Sequence, residues 1–142
     1  MQIQRIQSLL LLLAGVLTAV FIFVPFGSLI LDKDGMQFIV ELTAANIYAV
    51  LCPAGIAAVL LLLDIFLYKN LRLQKQVLII GIMMLIVSIG IVIYVNFDHA
   101  TQGTIHWGGG GLLLVAALIG AVAALRCINH DQRLLASYDR LR

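Results

Sequence analysis

The chain has 142 residues, of which 63% are hydrophobic and 11% charged, with a net charge of +2. Soluble domains run nearer about 45–50% apolar and about 25% charged, so this composition excludes an ordinary water-soluble globule, and the length asks for one domain. A charge of +2 is too small for a nucleic-acid surface, and its placement matters more than its sum.

The first element lies in MQIQRIQSLLLLLAGVLTAV. A bilayer-crossing helix needs about 20 mainly apolar residues, and residues 6–24 supply them. A signal peptide has a shorter apolar core and a small-x-small cleavage site. Here the run leaves through Val24-Pro25-Phe26, so a retained helix is expected. Next, LILDKDGMQFIV at 29–40 places two β-prone runs around Asp32-Lys33-Asp34-Gly35. Gly35 supplies the positive φ of a tight turn, and a hairpin is predicted over 29–40. An isolated hairpin is marginal in water. It is therefore expected to pack on the bundle mouth or the loop at 96–106, or to join a partner's sheet.

Helix two is predicted at about 47–68, interrupted by Pro53 and Asp64. A carboxylate in hydrocarbon normally faces a partner or a watered path. Asp64 lies five residues before Lys69, close to the interface, which favours an ion pair over a proton relay. Arg5 and Arg126 are the cations at similar depth. Arg5 is the expected partner, because Gln4 and Gln7 beside it can satisfy leftover polar groups. Residues 69–76, KNLRLQKQ, form a basic turn whose cations can meet anionic headgroups.

Helix three is predicted at 77–95. The loop after it holds Asp98, His99 and His106. These are weak metal candidates, since their spacing matches no zinc-ligand pattern. Helix four reads clearly from Leu112 to Leu125, too short to cross, so it is predicted at about 107–126 by recruiting Trp107 and Gly108–Gly111. A phosphate loop needs a lysine and a hydroxyl residue directly after its glycines; here leucine follows. The glycines are expected to let backbones approach, and Trp107 to anchor at the interface. Ala116, Gly120 and Ala124 form a small-residue stripe, with Ala117 and Ala121 beside it. The tail at 129–142 carries Leu134, Leu135, Tyr138 and Leu141 on one helical face, flanked by Arg133 and Arg140. It is expected to lie on the inner membrane surface or to dock on a partner. Cys52 and Cys127 fall at opposite ends of their helices and cannot pair.

Eight of the nine basic residues fall at the termini and at 69–76 and 126; only Lys33 lies on the other side. Basic residues stay cytoplasmic, so both termini are expected inside. The opposite face, with Asp32, Asp34, Glu41 and Asp98, is net acidic.

Two terminal stretches, IQRIQSLLLLLAG at 3–15 and DQRLLASYDRLR at 131–142, carry a resemblance. The positions are Gln4, Arg5, Ile6 and Gln7, then Asp139, Arg140, Leu141 and Arg142. They resemble the ends of an uncharacterised Bacteroidetes family of small four-helix integral membrane proteins. Gln2 and Tyr138 depart from that pattern. The resemblance implies an inner-membrane location and a periplasmic outer face; it implies no activity or ligand.

The expected fold is all-α, a single four-helix membrane bundle with a small periplasmic hairpin. No catalytic cluster or cofactor motif occurs in the sequence. The expected function is a non-enzymatic accessory subunit or assembly factor, in a homo-oligomer or larger complex within the lipid bilayer. The alternatives are a small oligomeric transporter or channel using Asp64, and a periplasmic metal or ligand sensor using His99 and His106.

Overall fold

The computed structural model describes residues 2–140, with side chains from Arg5 to Tyr138. Four helices pack as a ring. They are α1 (Gln2–Phe21), α2 (Tyr48–Asp64, extended by a 3-10 turn over Ile65–Leu67), α3 (Leu71–Ala100) and α4 (Gly110–Arg140). Each helix packs on its two neighbours in chain order, and α4 closes the ring on α1. Leu11, Ala14, Leu61, Leu78, Leu85, Leu114, Ala117, Ala121 and Ile128 fill the centre and are fully or almost fully buried.

The outside is as apolar as the inside. Leu9, Leu13, Val59, Met83, Ile86 and Ile119 are all more than half or nearly half exposed. A helix that is apolar all round belongs in the core of a large protein or in a membrane. Three helical segments, Tyr48–Leu67, Leu71–Ala100 and Gly110–Tyr138, are long and apolar enough to cross a membrane; Arg5–Phe21 is a shorter apolar helix. The predicted first span over 6–24 ends early. The chain turns at 22–24, because the residue before Pro25 is pushed out of helical geometry.

Between α1 and α2 the predicted hairpin forms as β1 (Gly27–Lys33) and β2 (Met36–Leu42). Its turn is Asp34-Gly35, with φ of 57° and 76°. Two positive φ values make a type I′ turn, whose twist matches that of paired strands. A third strand, β3 (Thr104–Trp107), pairs antiparallel with β1, so the sheet order is β2-β1-β3. Of the arrangements expected for the hairpin, it takes the one with the 96–106 loop. Phe26, Leu29 and Leu42 are buried where the sheet meets the bundle.

Other boundaries differ from expectation as well. α3 spans Leu71–Ala100 and not 77–95, so most of the expected basic turn at 69–76 forms its first turns, and Asp98 and His99 lie in its last turn and not in a loop. Trp107 ends a strand, and α4 begins at Gly110. The expected tail at 129–142 is not a separate surface helix, because α4 runs unbroken to Arg140. The polar residues after Asn129 lose the hydropathy signal, but nothing there breaks a helix. At 31 residues, α4 is about 46 Å long and outruns a hydrocarbon core of about 30 Å.

Candidate functional site

The end of the bundle that carries the α2–α3 loop holds a layer of polar side chains. Gln7 on α1 is buried and donates from Nε2 to Asp131 Oδ2 on α4. Gln132, the next residue, donates to the Leu71 carbonyl at the start of α3 at 3.2 Å. Gln74 donates to the main-chain carbonyl of Asp64 at 3.4 Å. Amide side chains thus tie α1 to α4, α4 to α3, and α3 to α2.

Asp64 sits inside this layer with no exposed surface. Among the described residues neither of its carboxyl oxygens has a hydrogen-bond partner, and neither does Gln74 Oε1. Three buried acceptors therefore lie in the layer without a donor. Such a place asks for a proton on the carboxyl, a water or a small cation. The expected Arg5–Asp64 pair is not made. Arg5 is exposed, and it is Gln7 that turns inward. They lie two positions apart, about 200° round the helix, so only one can face the core. Arg126 is exposed as well. Arg140 belongs to α4, but its side chain lies outside the described residues, as do Gln4 and the whole of Leu141 and Arg142.

The small-residue stripe is used at Gly120 and Ala124, and the row beside it, Ala117 and Ala121, faces inward with it. Ala117, Ala121 and Ala124 are fully buried, while Ala116 is exposed. A Cβ on Gly120 would stand 3.5 Å from Ala14 Cβ and 3.7 Å from the Leu10 carbonyl, so α1 and α4 approach closely here. Gly15 does the same between α1 and α2, against Leu62.

At the sheet end, the four glycines at 108–111 divide into two pairs. Gly108 N donates to Phe26 O at 2.9 Å and Gly110 N to Pro25 O at 3.2 Å. A Cβ at either position would fall 2.6–2.7 Å from the Pro25 carbonyl, so only glycine fits. Gly109 and Gly111 face open space. They line an apolar crevice of about 440 Å³ with Trp107, Val92 and Leu112. Trp107 meets Phe97 edge-on, at 6.4 Å between centroids.

His99 is half-buried near the end of α3, His106 is exposed on β3, and Asp98 is exposed. Among the described residues no three His, Cys, Asp or Glu side chains are gathered to hold a metal ion. Sequence reasoning missed Gln7, Gln74 and Gln132 as the residues that face inward. The signal was present: amides placed where apolar helices end.

The β2 strand contributes the other unusual surface. Apart from Leu42, every residue in it is exposed. Met36, Phe38, Ile39 and Val40 expose 68%, 53%, 68% and 44% of their surface.

Compared with known proteins, the chain matches one family model, described as a domain of unknown function (DUF4293), over residues 3–141. No curated protein and no solved structure matches it. The chain belongs to that family of unknown function.

Proposed function

We propose that this family member is a non-enzymatic integral membrane protein, an accessory subunit or assembly factor of a membrane complex. One observation carries the reading. The sheet stands outside the helices and leaves one edge of β2 open, with Met36, Phe38, Ile39 and Val40 exposed along that strand. Soluble proteins shield such edges, and an edge left open with apolar residues is a surface for pairing. The loop end gathers Arg5, Lys69, Arg72, Lys75 and Arg133, which supports a cytoplasmic placement for it and an outward sheet. The resemblance at the chain ends favours the inner membrane of a bacterium with two membranes. Solubilisation in mild detergent followed by affinity purification tests the reading. A stoichiometric partner or a defined oligomer is expected; a lone monomer overturns it. Cysteines at Gln102 and Asn70, in a background without Cys52 and Cys127, test the orientation. A membrane-impermeant reagent should label Gln102→Cys from the periplasm and leave Asn70→Cys protected.

A second reading, transport of protons or small cations by an oligomer, has one observation in its favour: Asp64 is buried without a donor. Ion flux in vesicles that falls with Asp64→Asn, while assembly is unchanged, would move the assignment there.

A further inference from the structure

We infer that the open edge of β2 pairs with the β2 of a second copy, antiparallel and centred on Ile39. The inference rests on the reading of the protein as an interaction subunit and names its partner. The register of the hairpin dictates which backbone groups are free. A two-residue turn makes Lys33 and Met36 a hydrogen-bonded pair, so Met36, Phe38, Val40 and Leu42 direct their N–H and C=O at β1. Phe26 N, donating to Leu42 O at 2.9 Å, agrees with that phase. Gln37, Ile39 and Glu41 then point their backbone groups away from the sheet. Among the described residues no strand lies on that side.

The strand MQFIVEL is chemically symmetric about its centre. Turned on itself at Ile39, it sets Ile39 against Ile39, Gln37 against Glu41, Phe38 against Val40 and Met36 against Leu42. Every outward-directed residue meets another outward-directed residue, so all three such pairs can exchange backbone hydrogen bonds. The Phe38–Val40 pairs fall at the non-hydrogen-bonded positions, where side chains come closest, and aromatic–β-branched pairs stabilise sheets. Glu41 meets an amide and not a second carboxylate, so no like charges oppose. A strand from an unrelated protein would have to match this order by chance; a second copy matches it by construction. The two-fold axis stands perpendicular to the sheet. Both copies therefore keep the Leu29 and Leu42 face turned the same way.

Full-length protein in native membranes, with Cys52 and Cys127 replaced by serine, provides the test. Under mild oxidation Ile39→Cys should give a covalent dimer, since paired residues sit at about 5.5 Å between Cα atoms, within disulfide reach. Met36→Cys should give none, because its two copies would stand about 20 Å apart along the strands. Adding Ile39→Pro to a Phe38→Cys/Val40→Cys variant should abolish its dimer, by removing an outward N–H that the hairpin does not use. Equal cross-linking at 36 and 39 overturns the pairing, as does an intact protein that cross-links at neither. A different protein that co-purifies in stoichiometric amount, with no Ile39→Cys dimer, sinks the second-copy assignment and leaves the subunit reading standing. A specific Ile39→Cys dimer that purifies as an isolated pair does the reverse for any larger complex.

Discussion

The two ends of the bundle are held by different means. At the sheet end, backbone meets backbone: Gly108 and Gly110 bond directly to Phe26 and Pro25, and there is no room for a side chain between them. At the loop end, long amides span the gaps, from Gln7 to Asp131 and from Gln132 to Leu71. A contact made by backbone admits no substitution, whereas a contact made by a flexible side chain can be replaced or re-routed. The first kind fixes the position of an element, and the second leaves room for a buried group such as Asp64 that has no fixed partner.

The sharpest way to break this contrast is within the glycine run. Gly110→Ala should cost about 3 kcal/mol, because its Cβ would collide with main-chain atoms that cannot turn aside. Gly111→Ala, one residue on and facing open space, should be neutral or should stabilise by up to about 1 kcal/mol through helix propensity. Thermal unfolding in detergent reads both. Similar melting temperatures would mean that the sheet and α4 are not locked.

Asp64→Asn comes next in size. Replacing an unpaired buried acid by an amide adds a donor beside acceptors that have none, and stability should rise by about 1–3 kcal/mol. A fall would reveal a bound partner for the carboxyl. Arg5→Ala should change stability by less than about 0.5 kcal/mol, since Arg5 is exposed, and its effect should add simply to that of Asp64→Asn. Measured coupling between the two would restore the ion pair that the geometry does not make.

Gln7→Leu should have a moderate effect, about 1–2 kcal/mol, because Asp131 loses its donor on α1. A double-mutant cycle with Asp131→Asn should show coupling above about 0.5 kcal/mol. Additivity here would reduce the loop-end contact to coincidence. The smallest effect is expected for Ala116→Leu, which projects outward from α4, compared with Ala117→Leu, which enters the fully buried seam and should destabilise clearly.

Much of the fold was legible before any coordinate. Long charge-free runs located all four helices, and Asp34-Gly35 located the turn of the hairpin, because each signal is local. The misses came from what is not local or too short to show. Four residues, Thr104–Trp107, are too few for a periodic pattern, so β3 was read as loop and as the start of a helix. The stripe on α4 is legible from spacing, but spacing does not say how wide an arc faces inward: Ala117, Ala121 and Ala124 are buried and Ala116 is exposed. Asp64 was picked out by its charge. Its assigned partner failed on two counts: Gly15 meets Leu61 and Leu62, which sets Asp64 level with Leu12 and Leu13, about two turns of α1 away from Arg5, and Arg5 faces outward.

The order of the sheet has a consequence for how the chain is made. β1 sits between β2, which follows it after two residues, and β3, which follows after two whole helices. At about 5–20 residues per second, the roughly 70 residues from Lys33 to Thr104 take about 4–14 s to synthesise. Throughout that time β1 has one neighbour and one vacant side. The vacancy is filled only by a segment that arrives once α2 and α3 exist and have folded back on one another to bring it beside the hairpin. Docking of β3 is thus a late latch that can close only once α2 and α3 are packed against each other, and a chain in which they are not would keep β1 open to whatever strand came near.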